Sequence, residues 1–193
     1  MEELIPHITW RMFKARLRGE GNDYKNFRWI KLPQFNSLKK LYEYLSKINY
    51  ADIYYSKEWY LSPSESEDKL FYIQSDFVID LDEKDGIMMK RIIDFVNKEI
   101  NDPPRYILST SKGFQAVWNP EVKDIPNDLI NKEKEKYINN KRLELVNKMK
   151  KAGLVFDYDV TVNKSVIRLP NTFHRNGTFC KLIDYNHLNS GGR

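Results

Sequence analysis

Three aspartates lie in a short segment whose apolar residues alternate as they do in a β-strand. In the segment 76–82, a strand would bury the apolar side chains on one face and hold Asp76, Asp80 and Asp82 on the other. The Cα atoms of Asp80 and Asp82 would lie about 7 Å apart, so their carboxylates can converge on hard divalent cations. Enzymes of nucleotidyl transfer use two such cations about 4 Å apart. For this pair alone, a strand end with solvated acids is the alternative.

Three further polar segments follow along the chain. The segment 109–115 reads Ser-Thr-Ser-Lys-Gly-Phe-Gln, 157–161 reads Asp-Tyr-Asp-Val-Thr, and 168–174 reads Arg-Leu-Pro-Asn-Thr-Phe-His. In residue type and order, these segments and the acidic strand resemble the motifs of the archaeo-eukaryotic primase superfamily, specifically the small catalytic subunit of DNA primase. The resemblance covers about residues 38–183.

The resemblance implies a metal triad of Asp80, Asp82 and Asp157. These acids would hold two Mg²⁺ or Mn²⁺ ions, one activating a 3′-hydroxyl and one neutralising the triphosphate. Asp157 precedes Val160 by three residues, as in the family, and is preferred to Asp159, which would share its face in an unbulged strand. A turn or strand-edge acid is the structural alternative for either residue.

The resemblance also implies nucleotide-binding residues that contact the triphosphate: Ser109, Lys112, Gln115, Arg168 and His174. Lys112 stands in place of a family Arg and supplies charge without a bidentate fork. Gln115 stands where the family has His, and its amide cannot carry positive charge or move a proton. For His174 alone, a buried structural histidine is the alternative.

Composition sets broad limits on the class of protein. The chain has 193 residues, 41% of them hydrophobic, and a formal net charge of +5, which suits a globular protein that can bind nucleic acid. Its one cysteine, Cys180, excludes a disulfide framework or a four-cysteine zinc site within the sequence. The first residues lack a basic segment followed by an apolar one, and no apolar run is long enough for a membrane span. We therefore expect a cytoplasmic protein of the replication machinery, not a membrane protein.

The elements that would position these residues alternate between strands and helices. The predicted elements are a polar loop at 19–26, a helix capped by Ser37 over 38–48, a strand at 51–55, a turn at 62–64, a helix at 87–100, a hairpin at 106–118 with Gly113 at its bend, a long charged helix at 126–151, and strands at 154–159 and 165–169. This pattern predicts an α/β (α+β) fold with a central mixed or antiparallel sheet and flanking helices. The resemblance implies a primase fold with a unit like an RNA-recognition fold. We expect one catalytic domain, with an N-terminal lobe at 1–70 and a catalytic lobe at 71–193.

The leading hypothesis is a DNA primase-like nucleotidyltransferase that makes short RNA or DNA primers on a single-stranded DNA template from nucleoside triphosphates. The alternative is a non-catalytic primase-fold accessory or nucleic-acid-binding subunit of a replication complex, which Gln115 favours. A large primase subunit or a helicase is the further partner that the resemblance implies. A metal-dependent nuclease or a tyrosine relaxase ranks lower, because the three histidines His7, His174 and His187 are isolated in the sequence.

Overall fold

The computed structural model describes residues 5, 8–17, 28–48, 50–61, 72–119, 125–126, 128–162, 166–174 and 176–189. The predicted polar loop at 19–26 and the predicted turn at 62–64 lie outside these residues.

Strands of the described residues form three sheets. The strands are β1 Phe13–Leu17, β2 Arg28–Lys31, β3 Tyr50–Ser56, β4 Glu58–Tyr60, β5 Tyr72–Ser75, β6 Phe77–Leu81, β7 Tyr106–Ser109, β8 Phe114–Trp118, β9 Val166–Arg168, β10 Thr172–Phe173 and β11 Phe179–Ile183. The sheets have the orders β2-β1-β3-β9, β10-β11-β7-β8-β6 and β4-β5, with neighbouring strands antiparallel. The strand β9 comes from the predicted catalytic lobe and pairs with β3 of the predicted N-terminal lobe.

The acidic strand and the predicted hairpin are confirmed. The strand β6 pairs with β8 so that Asp80 lies opposite Gln115, and β8 pairs with β7 through a turn at 110–113. The backbone N–H of Thr110 donates to the carbonyl of Gly113 at 3.0 Å. A Cβ at Gly113 would lie 1.7 Å from the carbonyl oxygen of Leu81, so the turn approaches β6 at a distance that only glycine allows.

The helices agree with the sequence prediction in part. They are α1 Leu38–Leu45, α2 Gly86–Ile100, α3 Asn131–Lys151 and α4 Tyr158–Val162. Ser37 caps α1 as predicted, and α2 ends at Asn101 in a left-handed conformation before two prolines. The long helix begins at Asn131 instead of Pro126.

The predicted strand at 154–159 is wrong. Asp157 makes one isolated bridge to Asp80, and the chain then turns into α4. The side chain of Asp157 accepts a hydrogen bond from the backbone N–H of Asp159 at 3.0 Å, which is the local bond by which Asp favours a turn or helix start over a strand.

Two hydrophobic clusters cover opposite faces of the five-stranded sheet. On one face, Val78, Leu108 and Val117 pack with α1 and the four-stranded sheet. On the other face, Phe77, Ile79 and Trp118 pack with α2 and α3. The structure therefore confirms an α+β fold with antiparallel sheets and flanking helices.

Asp76 has its carboxylate engaged by two arginines, so it is not part of the acidic group around Asp80. It precedes β6, is fully buried, and forms ion pairs with Arg11 and Arg105, each at 3.0 Å. Burial alone would raise the pKa of Asp76, but these two guanidinium groups lower it below its ordinary value. Arg142 of α3 donates to the backbone oxygen of Asp76 at 2.5 Å. This cluster joins several elements and has a structural role.

Candidate active site

Asp80, Asp82 and Asp157 lie together at the end of β6. Asp80 is partly buried near the end of the strand, and Asp82 follows the strand and is exposed. The backbone N–H of Asp157 donates to the carbonyl of Asp80 at 2.6 Å, which fixes the third acid beside the strand. The structure thus brings the three predicted acids into one region.

The protonation of Asp80 reflects this crowding. Burial, and after it the neighbouring carboxylates of Asp82 and Asp157, raise its pKa to about 7. The guanidinium of Arg168 acts against them and lowers the pKa. Arg168 therefore lies within electrostatic reach of the acids, although it belongs to the other sheet.

Asp157 and Asp159 differ in their positions relative to Asp80. Asp157 affects the pKa of Asp80, whereas Asp159 is exposed in the first turn of α4. The helix also removes the strand alternation that would have placed the two side chains on one face. This geometry favours Asp157 as the third acid of the proposed site.

A buried aspartate that the sequence analysis missed holds the predicted basic residues. Asp52 of β3 is fully buried, and its Oδ1 accepts a hydrogen bond from Nη1 of Arg168 at 2.9 Å. His174 Nε2 lies 3.8 Å from the same oxygen, and Arg16 Nη1 lies 3.8 Å from Oδ2. Tyr54 completes the group, since its hydroxyl accepts from Arg168 Nη2 at 2.7 Å and its ring lies 4.7 Å from the guanidinium. Asp52 therefore orients Arg168 and lies near His174, whose Nδ1 is 2.8 Å from Oδ1 of Asn176.

In the sequence, Asp52 could have been identified only as an acid inside a predicted strand, two residues before Tyr54. Only the pairing of β3 with β9, which sets Tyr54 opposite Arg168, shows what this acid contacts.

Gln115 is nearly buried, with 4% of its surface exposed, and lies between the two sheets. Its Oε1 accepts a hydrogen bond from the backbone N–H of Arg168 at 3.3 Å, while Asp80 is its cross-strand partner. The residue that departs from the family pattern thus ties β8 to β9 directly beside the acids.

The remaining predicted residues, Ser109 and Lys112, lie on or beside the hairpin turn. Lys112 is exposed at the turn. Ser109 pairs with Phe114 and points to the sheet face opposite Asp80 and Gln115, where its Oγ accepts from Lys84 Nζ at 2.8 Å. The structure does not bring Ser109 to the acids, and its phosphate contact stays a prediction. Lys84, which the sequence analysis missed, also donates to the carbonyls of Thr110 and Gly113.

The donor set of the acids fits a hard divalent cation. Carboxylate oxygens are the ligands that Mg²⁺ and Mn²⁺ prefer, and crowded carboxylates are stabilised when a cation neutralises them. Within the described part of the chain, no three His, Cys, Asp or Glu side chains already converge as a complete metal-binding group.

Comparisons with known proteins support the fold. Neither a protein-family model nor a curated protein sequence matches this chain. Its structure is similar to that of the polymerase domain of Mycobacterium tuberculosis ligase D in complex with DNA, with a TM-score of 0.61 and 12% sequence identity. The similarity covers 97% of this chain and 78% of that chain. The chain therefore shares the fold of that domain. No helix among the described residues has both the length and the apolar character needed to cross a membrane.

Proposed function

We propose that this protein is a nucleotidyltransferase that adds nucleotides to a 3′-hydroxyl on a nucleic-acid template. The observation that carries the proposal is the crowding of Asp82 and Asp157 around Asp80, with the guanidinium of Arg168 within reach of the same carboxylate. Such a site offers ligands for divalent cations next to a cation for phosphates. The polymerase-domain fold, seen in a neighbour solved with DNA, supports this class of activity.

In the proposed mechanism, Asp80, Asp82 and Asp157 would hold Mg²⁺ or Mn²⁺. The ions supply activation of the 3′-hydroxyl and neutralisation of the triphosphate. Arg168, oriented by Asp52, and His174 would contact the triphosphate, and Lys112 would add charge from the turn. The bond from the 3′-oxygen to the α-phosphorus forms while the bond to pyrophosphate breaks.

The finer proposal is primer synthesis from nucleoside triphosphates on single-stranded DNA. It rests on the order of the four sequence segments and on their positions in the structure. The other three segments meet around Asp80 of the acidic strand. We propose that the chain works as one catalytic domain. Its two lobes would meet where β9 pairs with β3, and a large primase subunit or a helicase would be its partner.

A second candidate is a non-catalytic accessory that binds nucleic acid. Gln115 favours it, because its carbonyl oxygen is already engaged by the backbone of Arg168 and its amide cannot take the charge of a histidine. Such an accessory would bind single strands but would not transfer nucleotides.

The proposal is tested by titrating a fluorescent nucleoside triphosphate with and without Mn²⁺. Asp82 is exposed, so Asp82→Asn removes a ligand charge without disturbing the core. Glu83→Gln is the matched control, because it neutralises the adjacent exposed acid. We expect Mn²⁺ to strengthen triphosphate binding at least about tenfold in the native protein and in Glu83→Gln, and much less in Asp82→Asn. Equal Mn²⁺ dependence in all three proteins would contradict the metal site.

A further inference from the structure

The outer face of the five-stranded sheet, opposite the acids, carries an exposed aromatic pair. Phe173 of β10 and Phe179 of β11 are cross-strand partners with ring centroids 5.1 Å apart in an edge arrangement. They are 48% and 43% exposed, whereas the flanking residues Thr172 and Cys180 are buried on the inner face. Large exposed rings on a sheet are a surface on which flat ligands can stack.

Basic side chains continue this face toward β7. Lys181 lies two residues after Phe179 on the same side of β11, is exposed, and pairs with Ser109. Lys84 approaches Ser109 from the loop after β6, and its ammonium group lies 5.2 Å from the ring centroid of Phe114.

A groove of about 730 Å³ passes between these residues and the 3-10 helix Tyr185–Asn189. Its lining includes Lys84, Lys181 and His187. The acid in the lining is Asp184, whose Oδ2 lies 3.5 Å from Nδ1 of His187. The groove therefore has a positive balance of charge, and Lys181 in its lining lies on the same side of β11 as Phe179.

We propose that this outer face binds single-stranded nucleic acid. Bases stack on Phe173 and Phe179, and the phosphate backbone follows Lys181 into the groove, where the charge of Lys84 adds to the attraction. Exposed rings beside a row of cations are what sequence-tolerant single-strand binding requires, since every base has a stacking face and every nucleotide a phosphate. The surface is separate from the proposed site of nucleotidyl transfer, so it does not depend on catalysis.

The experiment is fluorescence anisotropy of a labelled 12-nucleotide dT strand, in EDTA so that the proposed metal site makes no contribution. Phe179→Leu keeps an apolar side chain for packing but removes the ring, and Phe179→Tyr restores a ring. Lys181→Ala removes a phosphate contact. The controls are Ile130→Ala and Lys141→Ala, which alter an exposed apolar side chain and an exposed lysine elsewhere on the molecule.

We expect Phe179→Leu to weaken binding about fivefold or more and Phe179→Tyr and both controls to bind as the native protein does. Lys181→Ala should weaken binding and reduce its salt dependence. A strand with abasic sites should bind the native protein and Phe179→Leu equally, because stacking is then lost in both.

Native affinity of Phe179→Leu and Lys181→Ala for the dT strand would overturn the proposal. A change in oligomeric state, measured by light scattering, without a change in strand binding would also overturn it, because the face would then join two copies of the chain. Failure of metal-dependent triphosphate binding would leave these results unaffected.

Discussion

At the scale of single residues, a partly buried carboxylate beside two others is costly as an anion unless a cation is bound. Asp80 is in this position, because burial and the charges of Asp82 and Asp157 raise its pKa to about 7. A raised pKa means that the folded state holds its proton longer than the unfolded state does. The contribution of Asp80 to stability therefore falls as the pH rises from about 4 to about 7, and its full cost is present above that range.

The direction of this pKa shift predicts how Asp80→Asn changes stability in the absence of divalent cations. The variant keeps the shape and removes the charge, so its melting temperature should exceed that of the native protein by several degrees at pH 8. The difference should shrink steadily as the pH is lowered toward 5. Thermal denaturation in EDTA across this range measures it, with Glu83→Gln as the control. A difference independent of pH would show that the charge of Asp80 is not the cause. Adding Mn²⁺ at pH 8 should stabilise the native protein and reduce the difference.

Gln115 supports a second prediction at this scale. A neutral imidazole can accept the hydrogen bond from the backbone N–H of Arg168 with one ring nitrogen and donate to a phosphate with the other, and protonation would exchange the accepted bond for a positive charge. We therefore expect Gln115→His to retain or raise primer extension relative to the native protein. Strand binding measured in parallel shows whether the protein is folded. No extension by either protein, with strand binding intact, would favour the non-catalytic accessory.

At the scale of elements, the hairpin β7–β8 and the acidic strand β6 form one unit. The turn at 110–113 packs against the end of β6, where a Cβ on Gly113 would lie 1.7 Å from the carbonyl oxygen of Leu81 and 2.7 Å from the backbone N of Glu83. Backbone atoms cannot yield as a flexible side chain can. The close approach positions Lys112 near the segment that carries Asp82.

Gly113→Ala should therefore destabilise the protein by at least about 2 kcal/mol, because the hairpin has to move away from β6. At about 2–4 °C per kcal/mol for a chain of this length, the loss is visible in thermal denaturation. Gly177→Ala is the matched control, since Gly177 has no atom within 4 Å of an added Cβ and should cost only about 1 kcal/mol for its positive φ. An equal effect of the two substitutions would show that the close approach does not constrain the turn.

Local patterns predicted the elements well where one rule decides the structure. Alternation identified β6, the cap at Ser37 identified α1, and the Gly113 turn identified the hairpin. The segment at 157–159 was predicted wrongly because its alternation is typical of a strand, while the side chain of Asp157 stabilises a helix start.

At the scale of the whole molecule, the candidate site lies where two sheets meet. Asp80 belongs to the five-stranded sheet, Asp82 follows its strand and Asp157 is bridged to it, whereas Arg168 and Asp52 belong to the four-stranded sheet. The order of the polar segments predicted that the acids and Arg168 belong to one site. Asp52 and the outward direction of Ser109 could not be predicted, because both depend on strand pairings between distant parts of the chain.

The most direct test of the account is primer extension on a single-stranded DNA template with nucleoside triphosphates. The native protein, Asp82→Asn and Glu83→Gln should be compared with Mg²⁺ and with Mn²⁺. We expect extended product from the native protein and Glu83→Gln, and a loss of at least about a hundredfold in Asp82→Asn, because a metal-ligand charge is missing. Product from Asp82→Asn at the native level, or no product from the native protein with either metal, would contradict nucleotidyl transfer at this site.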